Sequence, residues 1–163
     1  MRVLGLDPGL RITGYACIAP GARTLTLIEA GVIRLAPSSG PARPVSHRLA
    51  ELDRDLRDLL ARVQPDLVAV EGLFAHPAHP ATAIAMAHAR GVILLAVAQS
   101  AIPLAELKPA AVKKALTGSG RADKPQMQRA IQHAFDLAEP PEPPDVADAL
   151  AIAYAALHRA PVT

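Results

Sequence analysis

The sequence predicts an α/β domain on a mixed five-stranded sheet. Three antiparallel strands come first, alternating helices and strands follow, and helices cover both faces. Three observations predict it. Short apolar runs separated by turn residues fill the chain up to Leu35. From Ser46 the hydrophobic period changes to three and four. Beyond Pro65 strand-like and helix-like segments alternate.

Arg2 to Leu6 is short and apolar, and Pro8-Gly9 ends it as a turn. Thr13 to Ile18 and Thr24 to Leu35 have strand composition, joined by Gly21-Ala22-Arg23 as a hairpin connection. Pro37 to Pro44 is a Ser/Gly/Pro loop. Leu49, Leu52, Leu56, Leu59, Leu60 and Val63 then mark one face of an amphipathic helix, with Glu51, Arg54, Asp55, Arg57, Asp58 and Arg62 facing away. Pro65 stops that helix. Asp66 to Val70 is a buried strand ending at Glu71-Gly72, and a loop with His76, Pro77, His79 and Pro80 follows.

Ala81 to Gln99 is a helix apolar on every side, so it is either buried throughout or half buried, with its other side against a second subunit. Small residues at Ala83, Ala85, Ala87 and Gly91 permit close packing. Ile102 to Leu107 is the fifth strand, and Ala110 to Leu116 a short helix. Thr117 to Gly120 is a flexible loop. Asp123-x-x-Gln126, with Pro125 in the first turn, opens a helix of capping-box type that runs to about Leu137. Glu139 to Pro144 is a proline-rich break, and Asp145 to Arg159 is the last helix.

At 163 residues the chain suits one domain, 1–163, rather than two. Hydrophobic residues at 51% and charged residues at 20% fit a folded globular protein and exclude disorder. The lone cysteine, Cys17, excludes an internal disulfide, and no leader peptide is legible, so a cytoplasmic location is expected. The longest apolar stretch, Ala78 to Ala98, carries His79, His88 and Arg90, which argues against a membrane span.

Net charge is only +2, but it is unevenly distributed. Lys108, Lys113, Lys114, Arg121, Lys124 and Arg129 are opposed only by Asp123. Glu139, Glu142, Asp145 and Asp148 then follow with no base among them. Two solvated surfaces of opposite sign would explain the pattern. So would a protein that grips phosphates and holds cations.

The acids favour the second explanation. Strand alternation puts Val3, Gly5 and Asp7 on one face and Leu4 and Leu6 on the other. Asp7 thus ends a buried strand with a carboxylate that is costly to desolvate alone. Glu71 ends the Leu67–Val70 strand in the same way. Asp145 and Asp148 share one face near a helix N-terminus. The helix dipole accounts for Asp145 but less well for Asp148, whose neighbours Ala147, Ala149, Leu150 and Ala151 look buried. Convergent acids repel unless cations neutralise them. Mg²⁺ takes carboxylate oxygens, and two such ions about 3.5–4 Å apart serve phosphodiester hydrolysis.

Four stretches carry a resemblance: GLDPGLRITGYA at the start, AVEGLF around Glu71, VKKALTGSGRADK from Val112, and DVADALAIA from Asp145. In this order and spacing they resemble the RuvC family of Holliday-junction endonucleases, over nearly the whole chain. The resemblance implies a ribonuclease-H-like fold, a homodimer, and Mg²⁺-dependent nicking of two strands of like polarity near a four-way DNA crossover. Mn²⁺ is able to substitute, and a branch-migration complex of RuvA and RuvB is the implied partner. The family's catalytic, metal-binding acids fall on Asp7, Glu71, Asp145 and Asp148. Its active-site lysines fall on Lys113 and Lys124, and its aromatic on Phe74. Many relatives have Gln after the second acid and a longer polar, basic run beyond the aromatic. Here Gly72 follows, and the run is Ala75 to Pro80.

Lys108, Lys113, Lys114, Arg121 and Lys124 are therefore expected to meet DNA phosphates; otherwise they are an exposed basic loop. Lys124 is the strongest of these, because it starts a helix whose N-terminus favours anions. Phe74 either extends the core or stacks on an unpaired base at the crossover, a contact worth ~1–3 kcal/mol. His76 and His79 lack a third ligand at zinc spacing. Three rivals share some of these features: an actin-like or sugar-kinase-like ATPase, a YqgF-like RNA nuclease, and a junction-binding protein that does not cut. An ATPase of that kind needs two such domains. The Asp145–Asp148 pair and the Glu71 strand end favour the resolvase over the RNA nuclease.

Overall fold

The computed structural model of the chain describes residues 1–22, 24–72 and 80–159, with side chains at 80–82 excepted. Five strands and five helices follow in order: β1 (Val3–Asp7), β2 (Ile12–Pro20), β3 (Leu25–Arg34), α1 (Val45–Val63), β4 (Leu67–Glu71), α2 (Pro80–Gln99), β5 (Leu104–Leu107), α3 (Pro109–Thr117), α4 (Lys124–Phe135) and α5 (Pro144–Arg159). The strands form one sheet in the order β3-β2-β1-β4-β5. β1 pairs antiparallel with β2, and β2 with β3; β1 and β4, and β4 and β5, run parallel. The mixed sheet is the one expected. Its fifth strand, Leu104–Leu107, begins two residues later than the expected Ile102.

Alternation along each strand divides the core in two. Leu4, Leu6, Cys17 and Val68 pack with α1 and α2 on one face. Val3, Ala16, Ile18, Ala69 and Leu107 pack with α3, α4 and α5 on the other. α1 buries Leu52, Leu56, Leu59, Leu60 and Val63 as its period predicts. It ends where Gln64 adopts the left-handed conformation and donates its N–H to the Leu60 carbonyl, one residue before Pro65. Arg62, in its last turn, forks onto Glu29 of β3, which also accepts from the Tyr15 hydroxyl of β2.

The two long apolar helices differ in burial. α5 is covered on most sides, since it lies between the sheet and α3 and α4; Ala149, Ala151, Ala153, Ala155 and Ala156 are all buried. α2 is half buried. Ala89, Ile93, Ala96 and Val97 face the core, while Ile84 and Leu95 are 59% and 55% exposed. With Ala87, His88, Gly91 and Ala98 they form a mostly apolar outer stripe at helical spacing. In the single chain α2 is therefore not buried throughout. None of the described helices is long and apolar enough to cross a membrane.

Candidate active site

The site begins with sheet register. Leu6 of β1 lies opposite Val70 of β4, so Asp7 and Glu71, one step further, leave neighbouring parallel strands side by side. Gly5 and Ala69 are opposite each other and pack on the α5 face, and alternation places Asp7 and Glu71 there too. On the other side of β1, Asp7 pairs with Gly14 of β2.

Gly14 admits the first turn of α5. A β-carbon there would lie 2.1 Å from the Asp145 carbonyl oxygen, so any side chain would push that turn away. Asp145 therefore stands over β2 next to Asp7, and Asp148 follows three residues on. Asp7, Glu71 and Asp148 line one cleft of about 310 Å³ with Lys113, Asp123 and Lys124. Asp145 lies at the border, lining the adjoining cavity with Gly9, Leu10, Arg11 and Arg48. The turn after Asp7 is held by Thr13, which is fully buried. Its hydroxyl donates to the Gly9 carbonyl at 2.8 Å and accepts from the Gly9 N–H at 3.3 Å. Sequence reasoning missed Thr13. A β-branched hydroxyl just beyond a Pro-Gly turn was the available signal.

The electrostatics ties the four acids together. Asp7 is pushed up to about 7, first by burial and then by the charges of Asp148, Glu71 and Asp145. Glu71 is raised by burial and by Asp148, and Lys113 opposes the shift. Asp148 keeps an exposed surface in the cleft, yet the surrounding protein still raises its carboxyl. Lys124 opposes that most, Asp145 adds to it, and Lys113 opposes it again. Asp7, Glu71 and Asp148 each sense at least one other acid, and the opposing lysines do not cancel the shifts of Glu71 and Asp148.

Asp123, although in the cleft, is engaged as a cap. It accepts from the Gln126 N–H at 2.8 Å, and its own N–H donates to the Gln126 side chain at 2.9 Å. This box fixes Lys124 at the start of α4. A lysine opposes the dipole there. The nearby charge of Asp148 supplies its negative partner.

Among the described residues, no three His, Cys, Asp or Glu side chains are spaced to enclose a metal ion. The donors nonetheless suit a hard divalent cation. All are carboxylates, they carry uncompensated charge, and ions such as Mg²⁺ bind through one or two carboxylates plus waters and substrate phosphate rather than an all-protein cage. Lys108, Lys114 and Arg121 are exposed and lie outside the cleft lining. Phe74, His76 and His79 lie outside the described residues. Gly72 is not required by space, because a β-carbon there would meet only the Leu107 carbonyl, at 3.5 Å.

Known proteins resemble this chain over most of its length. The family model described as "Crossover junction endodeoxyribonuclease RuvC" matches residues 3–156. A protein of that name from Rhodopirellula baltica is 47% identical over 150 residues, covering 92% of this chain and 82% of the relative. One from Moorella thermoacetica is 44% identical over 153 residues, covering 94% and 89%. Among solved structures, that of T. thermophilus RuvC in complex with Holliday junction substrate superposes with a TM-score of 0.84 at 31% identity. It covers 95% of this chain and 92% of that one.

Proposed function

The chain belongs to the RuvC family of crossover junction endodeoxyribonucleases, metal-dependent nucleases that resolve Holliday junctions, and from that premise we propose how its cleft does so. The observation that carries the reading is the convergence of Asp7, Glu71 and Asp148 on one cleft with Lys113 and Lys124, and with Asp145 at its edge. A family match of this length to deoxyribonucleases leaves the RNA-nuclease and non-cleaving alternatives without support.

Asp7, Glu71, Asp145 and Asp148 would hold two divalent cations, Mg²⁺ by preference and Mn²⁺ as a substitute. Bound there, the cations supply activation of the attacking water and stabilisation of the 3′-oxygen leaving group. Lys124 and Lys113 face the same cleft and offset charge on the scissile phosphate. The water oxygen forms its bond to phosphorus as the bond to the 3′-oxygen breaks, and a proton ends on that oxygen. Lys108, Lys114 and Arg121 track the flanking phosphates, and Phe74 stacks on a base at the crossover.

A four-way junction has two-fold symmetry, and two clefts related by a two-fold axis reach its two like strands. The exposed stripe of Ile84, Gly91 and Leu95 on α2 supports a homodimer through that helix. RuvA and RuvB are the expected branch-migration partners, and the cytoplasm the expected compartment. The test is a synthetic four-way junction with Mg²⁺ and a linear duplex as control. The expected products are paired nicks in opposing arms, lost in Asp7→Asn. Equal cleavage of the duplex would overturn junction specificity.

A further inference from the structure

We propose that Arg90, held by Glu106, is a positioning residue for Glu71; the proposal rests on the resolvase reading above. Arg90 is on α2, on the sheet face opposite the acids. Its Nε donates to the Glu71 carbonyl oxygen at 3.4 Å, and its Nη2 donates to the Glu106 carboxylate on β5. Val70 and Glu106 are register partners, as are Glu71 and Leu107. Leu104 packs toward α1 and α2, and Leu107 toward α5. Alternation therefore directs Glu106 toward α2 and Glu71 toward α5. One guanidinium thus fastens the last residue of β4 and the adjacent strand from behind, while the Glu71 carboxylate enters the cleft from the front.

Packing alone gives no reason for this arginine. Its side chain is only 13% exposed, and the core side of α2 is otherwise Ala89, Ile93, Ala96 and Val97. A Met or Leu would fill the gap without desolvating a charge. What a guanidinium adds is a planar fork that serves two acceptors at once. One acceptor is the backbone of Glu71, at the point where the strand ends. Fixing that peptide fixes the direction in which the Glu71 side chain leaves the sheet. Its contact is with the Glu71 backbone carbonyl, so its influence runs through the backbone. The same helix carries the outer stripe assigned to the second copy.

Arg90→Gln, Arg90→Lys and Glu106→Gln are compared with wild type in four measurements. These are single-turnover junction cleavage, junction affinity in chelator, thermal melting, and Mn²⁺ binding read by the free-ion EPR signal without DNA. Arg90→Gln is expected to slow cleavage by about 10- to 100-fold, the scale of a small misplacement of a reacting group. It should weaken Mn²⁺ binding while leaving junction affinity and melting temperature near wild type. Arg90→Lys, which reaches one acceptor at a time, should recover part of the rate, and Glu106→Gln should lose part of it. An Arg90→Gln protein that cuts and binds Mn²⁺ like a wild-type protein that itself cuts would overturn the positioning role alone. Loss of affinity and melting temperature in step with rate would overturn it too, since that is general structural damage. A wild-type chain that leaves the junction intact overturns the resolvase reading, and this inference with it.

Discussion

Gly5 lies directly beneath Ala149: a β-carbon on residue 5 would come within 2.2 Å of the Ala149 carbonyl oxygen and 2.6 Å of the Ala153 nitrogen. The helix that carries Asp145 and Asp148 therefore rests on the backbone of the strand that carries Asp7. Gly5 pairs with Ala16 on one side and Ala69 on the other, so α5 crosses a row of the smallest side chains. That close approach sets the height of the helix acids above the strand acids.

Gly5→Ala should consequently lift α5 from the sheet. Overpacking of this kind typically costs about 1–3 kcal/mol. The expected outcome is a lower melting temperature and a larger loss of cleavage than the stability change accounts for, because Asp148 moves with the helix. A Gly5→Ala protein with wild-type melting and wild-type cleavage would show that the approach is not required.

Protonation of Asp7 should couple stability to pH. Its carboxyl titrates at about 7 in the folded, metal-free chain, against 3.8 for the ordinary group. Between those values the folded state binds more protons than the unfolded one, so this contribution to stability falls as pH rises across the window. In chelator, wild type should lose more stability between about pH 4 and about pH 7 than Asp7→Asn does. Cleavage should run the opposite way, climbing with pH as Asp7 ionises. Melts at the two pH values check the first statement, and a pH–rate profile the second. Identical pH dependence in the variant would remove Asp7 as the cause.

Lys124→Ala removes the charge that most strongly opposes the raised carboxyl of Asp148. Loss of one preorganised charge at a reacting phosphate commonly costs about 10²–10³ in rate. Cleavage should fall on that scale, with a smaller loss in junction affinity. Lys114→Ala, on an exposed side chain outside the cleft lining, should do the reverse: weaker binding, a salt slope shallower by about 1, and a near-normal rate once bound. Single-turnover rates and binding isotherms at several salt concentrations separate the two. Equal effects from both substitutions would contradict the assignment of Lys124 to the cleft.

Leu95→Glu tests the second copy. Leu95 is 55% exposed in the single chain, so the substitution should leave the melting temperature of the monomer fold nearly unchanged. In a dimer joined by α2, a glutamate at this position meets an apolar surface or its own mate. Sedimentation should show dissociation at micromolar concentration, and cutting of the two junction strands should become uncoupled. A variant that remains dimeric would place the interface elsewhere.

Local sequence settled much of this molecule. Alternation in VLGLD put Asp7 on the face of Gly5, the spacing of Asp145 and Asp148 put both on one helix face, and the Leu stripe of α1 marked its buried side. The capping box at Asp123 and Gln126 formed as read. These are properties of a few consecutive residues, governed by backbone geometry, and a periodicity reports them faithfully. Where element ends depended on tertiary packing, as at β5, they shifted by a residue or two.

Only the tertiary structure decided which strand neighbours which. Asp7 and Glu71 are far apart in the chain, and nothing in either strand's pattern says that β1 and β4 lie parallel with Leu6 opposite Val70. It also decided that Gly5 and Gly14 would bring α5 down onto the sheet, that Asp145 would stand at the cleft's border, and that Arg90 would reach the Glu71 backbone from behind. The reason is physical. Short-range sterics and hydrophobic period fix the direction in which a side chain points, but the distance between two distant side chains comes from how whole elements pack. The raised carboxyls of Asp7, Glu71 and Asp148 follow from that packing, through burial first and neighbouring charges second.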